Sequence, residues 1–270
     1  MTIDTSKPII ELSGVRVCYG NTCVLDIDDV VIMPGERVFV LGKSGSGKTT
    51  LSRVLKGRVR AQHGTVRVFG ELLSETAVSR QNVAMVDQEF NLVPRMSVVR
   101  NVLTGALGRV HSVKSFLGLY PQIEWEKAES ILNEVELNGL GARRADTLSG
   151  GQKQRAAIAR ALMQEAPIVL ADEPISNLDP ELAEDALELL VSCTNRREDT
   201  LIVNLHQPRL ARMFATRVIG LHEGRVVFDG SPDELSPTDE EFIYAGASDK
   251  GAANAGAVDE AAVTESAKVG

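Results

Sequence analysis

Apolar and polar positions alternate in short runs through the first part of the chain, the period-2 pattern of β-strands. Strands are predicted at residues 9–12, 15–19, 24–27 and 37–41, with turns at Ser13-Gly14, Gly20-Asn21 and Pro34-Gly35. A helix over 51–56 ends near Gly57, and strands follow at 65–69 and 83–86. From Glu89 to about Met163 the alternation disappears, and helical periodicity takes over at 98–107, 124–135 and 152–163. The sheet pattern resumes with an apolar run at 168–171, a helix over 181–193, a strand at 201–205 and a late pair at 217–221 and 225–228. The pattern therefore predicts a β-rich α/β core split by a helical insertion.

Composition narrows this picture. The 270 residues are 43% hydrophobic, ample for a sizeable core. A net charge of −8, from 29 Lys and Arg against 37 Asp and Glu, argues against broad attraction to nucleic-acid phosphates or anionic lipid. Cys18, Cys23 and Cys193 are odd in number and contain no Cys-x-x-Cys pair, so neither a disulfide framework nor a zinc site is expected, and a reducing cytosol fits. No stretch approaches the ~18 apolar residues of a membrane span, and Met1 to Glu11 carry no signal-peptide run. Any membrane role needs partners. Residues 246–270 are dominated by Ala, Gly, Ser and acids, the composition of a disordered tail.

Candidate chemistry begins at Gly42, Lys43, Ser44, Gly45, Ser46, Gly47, Lys48 and Thr49, which fit G-x-x-x-x-G-K-[ST] between a predicted strand and a predicted helix. Glycines let successive backbone N–H groups turn inward on a polyphosphate, and the helix N-terminus adds its dipole. Lys48 is placed for the β and γ phosphates and the Thr49 hydroxyl for Mg²⁺, with Thr50 following. A second motif is the apolar run 168–171 ending in Asp172 and Glu173. At the carboxyl edge of a parallel sheet, Asp172 would serve Mg²⁺ and Glu173 would polarise the attacking water as general base. Alone, the pair also reads as an acidic helix cap.

Leu148, Ser149, Gly150, Gly151 and Gln152 precede a helix. Ser149 and Gln152 have capping-box spacing, while two glycines and a helix N-terminus can also receive an anion. This stretch resembles the signature of ATP-binding-cassette proteins. The resemblance implies a P-loop NTPase (ABC ATPase) core with an N-terminal antiparallel β subdomain and an inserted α-helical subdomain. The ATP-binding domain would span residues 1–245, with a RecA-like core at about 1–88 and 164–245 and the helical subdomain at about 89–163. It also implies a homodimer in which each ATP lies between one subunit's phosphate loop and the other's signature. By the same likeness Tyr19 stacks on adenine, Gln88 senses Mg²⁺ and the attacking water, Asp179 belongs to a loop crossing the dimer interface, and His206 is the switch histidine at the γ phosphate.

Residues 87–109, 115–121 and 218–230 resemble the ATP-binding subunit of phosphonate importers. That likeness implies ATP-driven import of a phosphonate or related phosphorus oxyanion, with ATP and Mg²⁺ as cofactors. Integral membrane permease subunits, and indirectly a periplasmic or lipid-anchored binding protein, would be partners; no nucleic acid would. The chain would sit at the cytoplasmic face of the inner membrane. Another importer or exporter, or a non-transport cassette ATPase, is the alternative.

Overall fold

The computed structural model describes residues 4–73, 81–110 and 118–245. The expected tail at 246–270, and residues 115–117 of the importer-like segment, lie outside the described residues.

Strands β1 (Ile10–Tyr19), β2 (Thr22–Ile32), β4 (His63–Val68) and β5 (Glu71–Leu72) form an antiparallel sheet in the order β2-β1-β4-β5. The two strands expected at 9–12 and 15–19 are one. Ser13-Gly14 is a bulge, because β1 shifts register against β4 between Ser13 and Arg16. Gly64 of β4 crosses there so closely that a Cβ on it would collide with the Gly14 carbonyl oxygen. The cysteine expectation is also corrected. A register shift after Val17 sets Cys18 opposite Cys23 across the β1–β2 hairpin, with Cα atoms 3.9 Å apart, and the two are disulfide-bonded. Spacing in the sequence does not show that pairing; strand register does. Cys193 is free and buried, and burial pushes its thiol up to about 11.

The second sheet holds β3 (Arg37–Leu41), β6 (Val83–Val86), β7 (Ile168–Asp172), β8 (Thr200–Leu205), β9 (Arg217–His222) and β10 (Arg225–Gly230). Its order is β10-β9-β3-β8-β7-β6, parallel except where β10 pairs with β9. Both faces are covered, which is why its strands read as near-continuous apolar runs. Val38, Val40, Ile168, Leu170 and Ile202 face a core shared with the first sheet and helix α1 (Lys48–Leu55). Phe39, Leu41, Val169, Ala171 and Val203 face the helices on the other side.

Between β6 and β7 lie helices α2 (Val98–Leu103), α3 (Gln122–Glu134) and α4 (Gly150–Leu162). The helix expected over 98–107 gives way at Thr104 to a tighter 3₁₀ turn through Gly108. Gly105 there presses on α4, where a Cβ would collide with the Arg160 carbonyl oxygen. Arg109 then donates two hydrogen bonds, 2.8 and 2.6 Å long, to the buried Glu124 carboxylate and ties this turn to α3. Helix α5 (Pro180–Arg196) starts before its predicted first turn, because Asp179 caps it by accepting a hydrogen bond from the Leu182 N–H. Helices α6 (Pro208–Phe214) and α7 (Pro237–Tyr244) complete the described chain. Among the described residues, no helix is long and apolar enough to cross a membrane.

Candidate functional site

Parallel pairing makes β3, β6, β7 and β8 end at one edge of the sheet, so residues far apart in sequence converge there. The loop after β3 carries Gly42 to Gly47 into α1; β7 ends at Asp172 and is followed by Glu173; His206 follows β8; Gln88 lies just beyond β6.

The phosphate loop is shaped by close approach. A Cβ on Gly42 would lie 2.5 Å from the Leu221 carbonyl oxygen, and Gly47, at φ 109°, would meet Val24 O at 2.7 Å. Any other residue at either position would displace backbone. Lys48 is only 4% exposed, and its ammonium donates to Gly42 O at 2.6 Å and Lys43 O at 3.1 Å. Burial pushes its pKa below the usual lysine value, while the carboxylates of Glu173 and Asp172 pull the other way. The lysine is thus folded onto carbonyls of its own loop, the place a polyphosphate's oxygens can take over.

Asp172 is 6% exposed and accepts a hydrogen bond from the Thr49 hydroxyl at 3.3 Å. Among the described residues no group of three or more His, Cys, Asp or Glu side chains could hold a metal by itself. A carboxylate beside a hydroxyl is nonetheless an all-oxygen donor pair that suits Mg²⁺, a cation that takes its other ligands from nucleotide phosphates and water.

Glu173 stands at φ 49°, a left-handed backbone that aims its side chain out of the strand direction. Its Oε1 lies 2.5 Å from His206 Nε2, and His206 Nδ1 lies 2.9 Å from Gly42 O. The Tyr244 hydroxyl, at the end of α7, donates to the His206 carbonyl at 3.1 Å, and burial raises that phenol to about 12. Glu173, His206, Lys48 and Gly42 therefore form one hydrogen-bonded cluster.

Other expected residues lie apart from it. Gln88 has an exposed side chain; its backbone carbonyl accepts from Asn177 Nδ2 at 3.0 Å. Tyr19 is 53% exposed at the hairpin tip, and β2 passes the phosphate loop at Gly47. Ser149 caps α4 in a reciprocal capping box with Gln152, so the structural reading of that spacing holds. Ser149 and Gly150 are exposed and no hydrogen bond joins them to the phosphate loop; Gly150 neighbours Leu178 and Gly151 neighbours Leu182, on either side of Asp179. One residue at this edge escaped sequence reasoning. Asn204 interrupts the apolar run of β8, a visible signal, and its amide donates to Asp172 Oδ1 at 2.6 Å.

Residues 25–176 match the model of the ABC transporter family. The chain belongs to that family. This ABC chain is similar to the phosphonates import ATP-binding protein PhnC of Thiobacillus denitrificans, 46% identical over 80% of this chain and 84% of the relative. It is 43% identical to PhnC 1 of Natronomonas pharaonis over 87% of this chain and 99% of that one. Among solved structures, it resembles cbiO1 of Clostridium perfringens, part of the ABC transporter complex cbiONQ (TM-score 0.76, 25% identity, 86% of this chain and 92% of that). It also resembles the dimeric bacterial ABC transporter cassette MJ0796 (TM-score 0.72, 29% identity, 83% and 98%). As an ABC ATP-binding subunit, the chain binds and hydrolyses ATP.

Proposed function

We propose that this ATPase powers import of a phosphonate or related phosphorus oxyanion, as a homodimer bound to separate membrane permease subunits. The cargo rests on one observation: relatives named for phosphonate import match along nearly the whole chain rather than over the nucleotide motifs alone.

The site residues take these roles. Lys48 exchanges its carbonyl contacts at Gly42 and Lys43 for nucleotide phosphates. Tyr19, at the exposed hairpin tip beside the loop, stacks on adenine. Asp172 and Thr49, with Gln88, hold Mg²⁺, which neutralises phosphate charge when bound. Glu173 takes a proton from the attacking water, giving ADP and phosphate, while His206 moves from Glu173 toward the γ phosphate. Ser149 and Gly150, exposed at the start of α4, with Gly151 and Gln152 behind them, meet the nucleotide of a second copy.

Residues 89–163 carry the contact with the permease. A cavity of about 500 Å³ behind Gln88 is lined by Phe90, Leu92, Pro94, Ala145, Asp146 and Lys153. Arg160 of α4 donates to the carbonyls of Phe90 and Asn91, so the signature helix and the cavity wall move together.

Reconstitution with permease subunits and a binding protein that form a complex with it tests the cargo. ATP-driven uptake of an alkylphosphonate, phosphite or phosphate is expected; uptake of an amino acid with none of these would contradict the reading.

A further inference from the structure

Asn204 is 1% exposed in β8, directly across from Asp172 in the parallel register with β7. Its Nδ2 donates to Asp172 Oδ1 at 2.6 Å and to the Ser52 hydroxyl at 2.9 Å, using both amide hydrogens. The reverse amide orientation would set two acceptors face to face at 2.6 Å, so the nitrogen must point at the acid. The Asn204 backbone carbonyl also accepts the Glu173 N–H at 3.2 Å. Ser52 is equally buried and sits one turn into α1, the helix that carries Lys48 and Thr49.

One residue thus ties together the carboxylate at the end of β7, the backbone of the residue proposed as base, and the helix behind the phosphate loop. The arrangement has a cost. Among the described residues Asn204 Oδ1 is buried without a hydrogen-bond partner, whereas the other positions facing this core from β7 and β8 are apolar apart from Asp172 itself and the strand end at Thr200. A residue kept at such a cost inside an apolar strand is explained by what its nitrogen does.

We propose that Asn204, with Ser52 behind it, is a positioning residue for the metal carboxylate. It fixes Asp172 Oδ1, the oxygen that also accepts from the Thr49 hydroxyl, so that the carboxylate and that hydroxyl present a preformed half-site to Mg²⁺. This rests on the reading of Asp172 and Thr49 as Mg²⁺ donors. Partners that orient a metal-binding carboxylate alter metal affinity by about 10- to 100-fold when removed.

The test measures affinity for a fluorescent ADP analogue in EDTA and in saturating Mg²⁺, for the full-length wild type, Asn204→Leu and Ser52→Ala, with melting temperatures alongside. The ratio of the two affinities isolates the metal-dependent part. In Asn204→Leu the EDTA affinity should stay within about twofold of wild type, while the gain on adding Mg²⁺ shrinks about tenfold. Ser52→Ala, a smaller lesion that should fold if Asn204→Leu does not, should lose about threefold of that gain. A Mg²⁺ gain equal to wild type in both variants overturns the inference, as does equal loss of affinity with and without metal, which would mark a purely structural role. A wild type whose affinity ignores Mg²⁺ would overturn the metal reading itself, and this inference with it.

Discussion

Glu173 Oε1 and His206 Nε2 lie 2.5 Å apart, so the residue proposed as base and the residue proposed as switch are held by one another. In the proposed mechanism that contact opens, freeing His206 for the γ phosphate and the Glu173 oxygen for water. The pair is a latch on the site. Glu173→Gln should lower the rate of phosphate release about 10²- to 10⁴-fold while ATP still binds. His206→Ala, which releases Glu173 but removes a phosphate contact, should slow it about tenfold or more. Rates near wild type for Glu173→Gln, measured by phosphate release, would remove it as base.

Ser149 is exposed and its hydrogen bonds go to Gln152 rather than to the phosphate loop; in the proposed homodimer it meets the nucleotide of a second copy. Ser149→Arg should therefore leave nucleotide affinity within about twofold, as for surface substitutions distant from a site. Its ATPase activity should disappear. Nucleotide titration and phosphate release on the same sample read both effects, and loss of binding in step with activity would place the signature in the chain's own site.

Asp199 sits just before β8, on a cavity at the opposite end of the sheet from the phosphate loop. Burial pushes its carboxyl up to about 6 from 3.8, although Arg197 pulls it down. The folded state thus holds the proton more tightly than the unfolded one. Stability is greatest below about pH 4 for this group and is lost as pH rises through about 6. Asp199→Asn should be about 2 kcal/mol more stable than wild type at about pH 7.5, with the gap narrowing at about pH 5. Urea denaturation at the two pH values checks this; a gap independent of pH would refute it.

Gly47 offers a test of the loop's shape. With φ at 109° and Val24 O only 2.7 Å from where an added methyl would sit, Gly47→Ala should cost about 1–3 kcal/mol of stability. Nucleotide affinity should fall as well. A variant as stable as wild type would show that the loop and the β1–β2 hairpin are not pressed together.

What can be read from the chain alone is local. The phosphate loop, the Asp172-Glu173 strand end and the Ser149 cap each lie within a few residues, and their chemistry follows from spacing. The bulge at Gly14 reads as a turn in the sequence because its cause, Gly64, lies far along the chain and across a strand pair. Cys18 and Cys23 pair for the same kind of reason: hairpin register sets them opposite each other, and composition does not show it. Parallel pairing also decides that Glu173 meets His206 and that Asn204 meets Asp172. Of these, only Asn204 leaves a mark in the sequence, as a polar residue in an apolar strand.

The central claim is that ATP is hydrolysed between the phosphate loop of one copy and the signature of another. Light scattering on purified Glu173→Gln protein tests it most directly, since bound ATP then persists. The account predicts twice the monomer mass with ATP and Mg²⁺ and the monomer mass with ADP. A monomer at saturating ATP, with binding confirmed on the same sample, would contradict it.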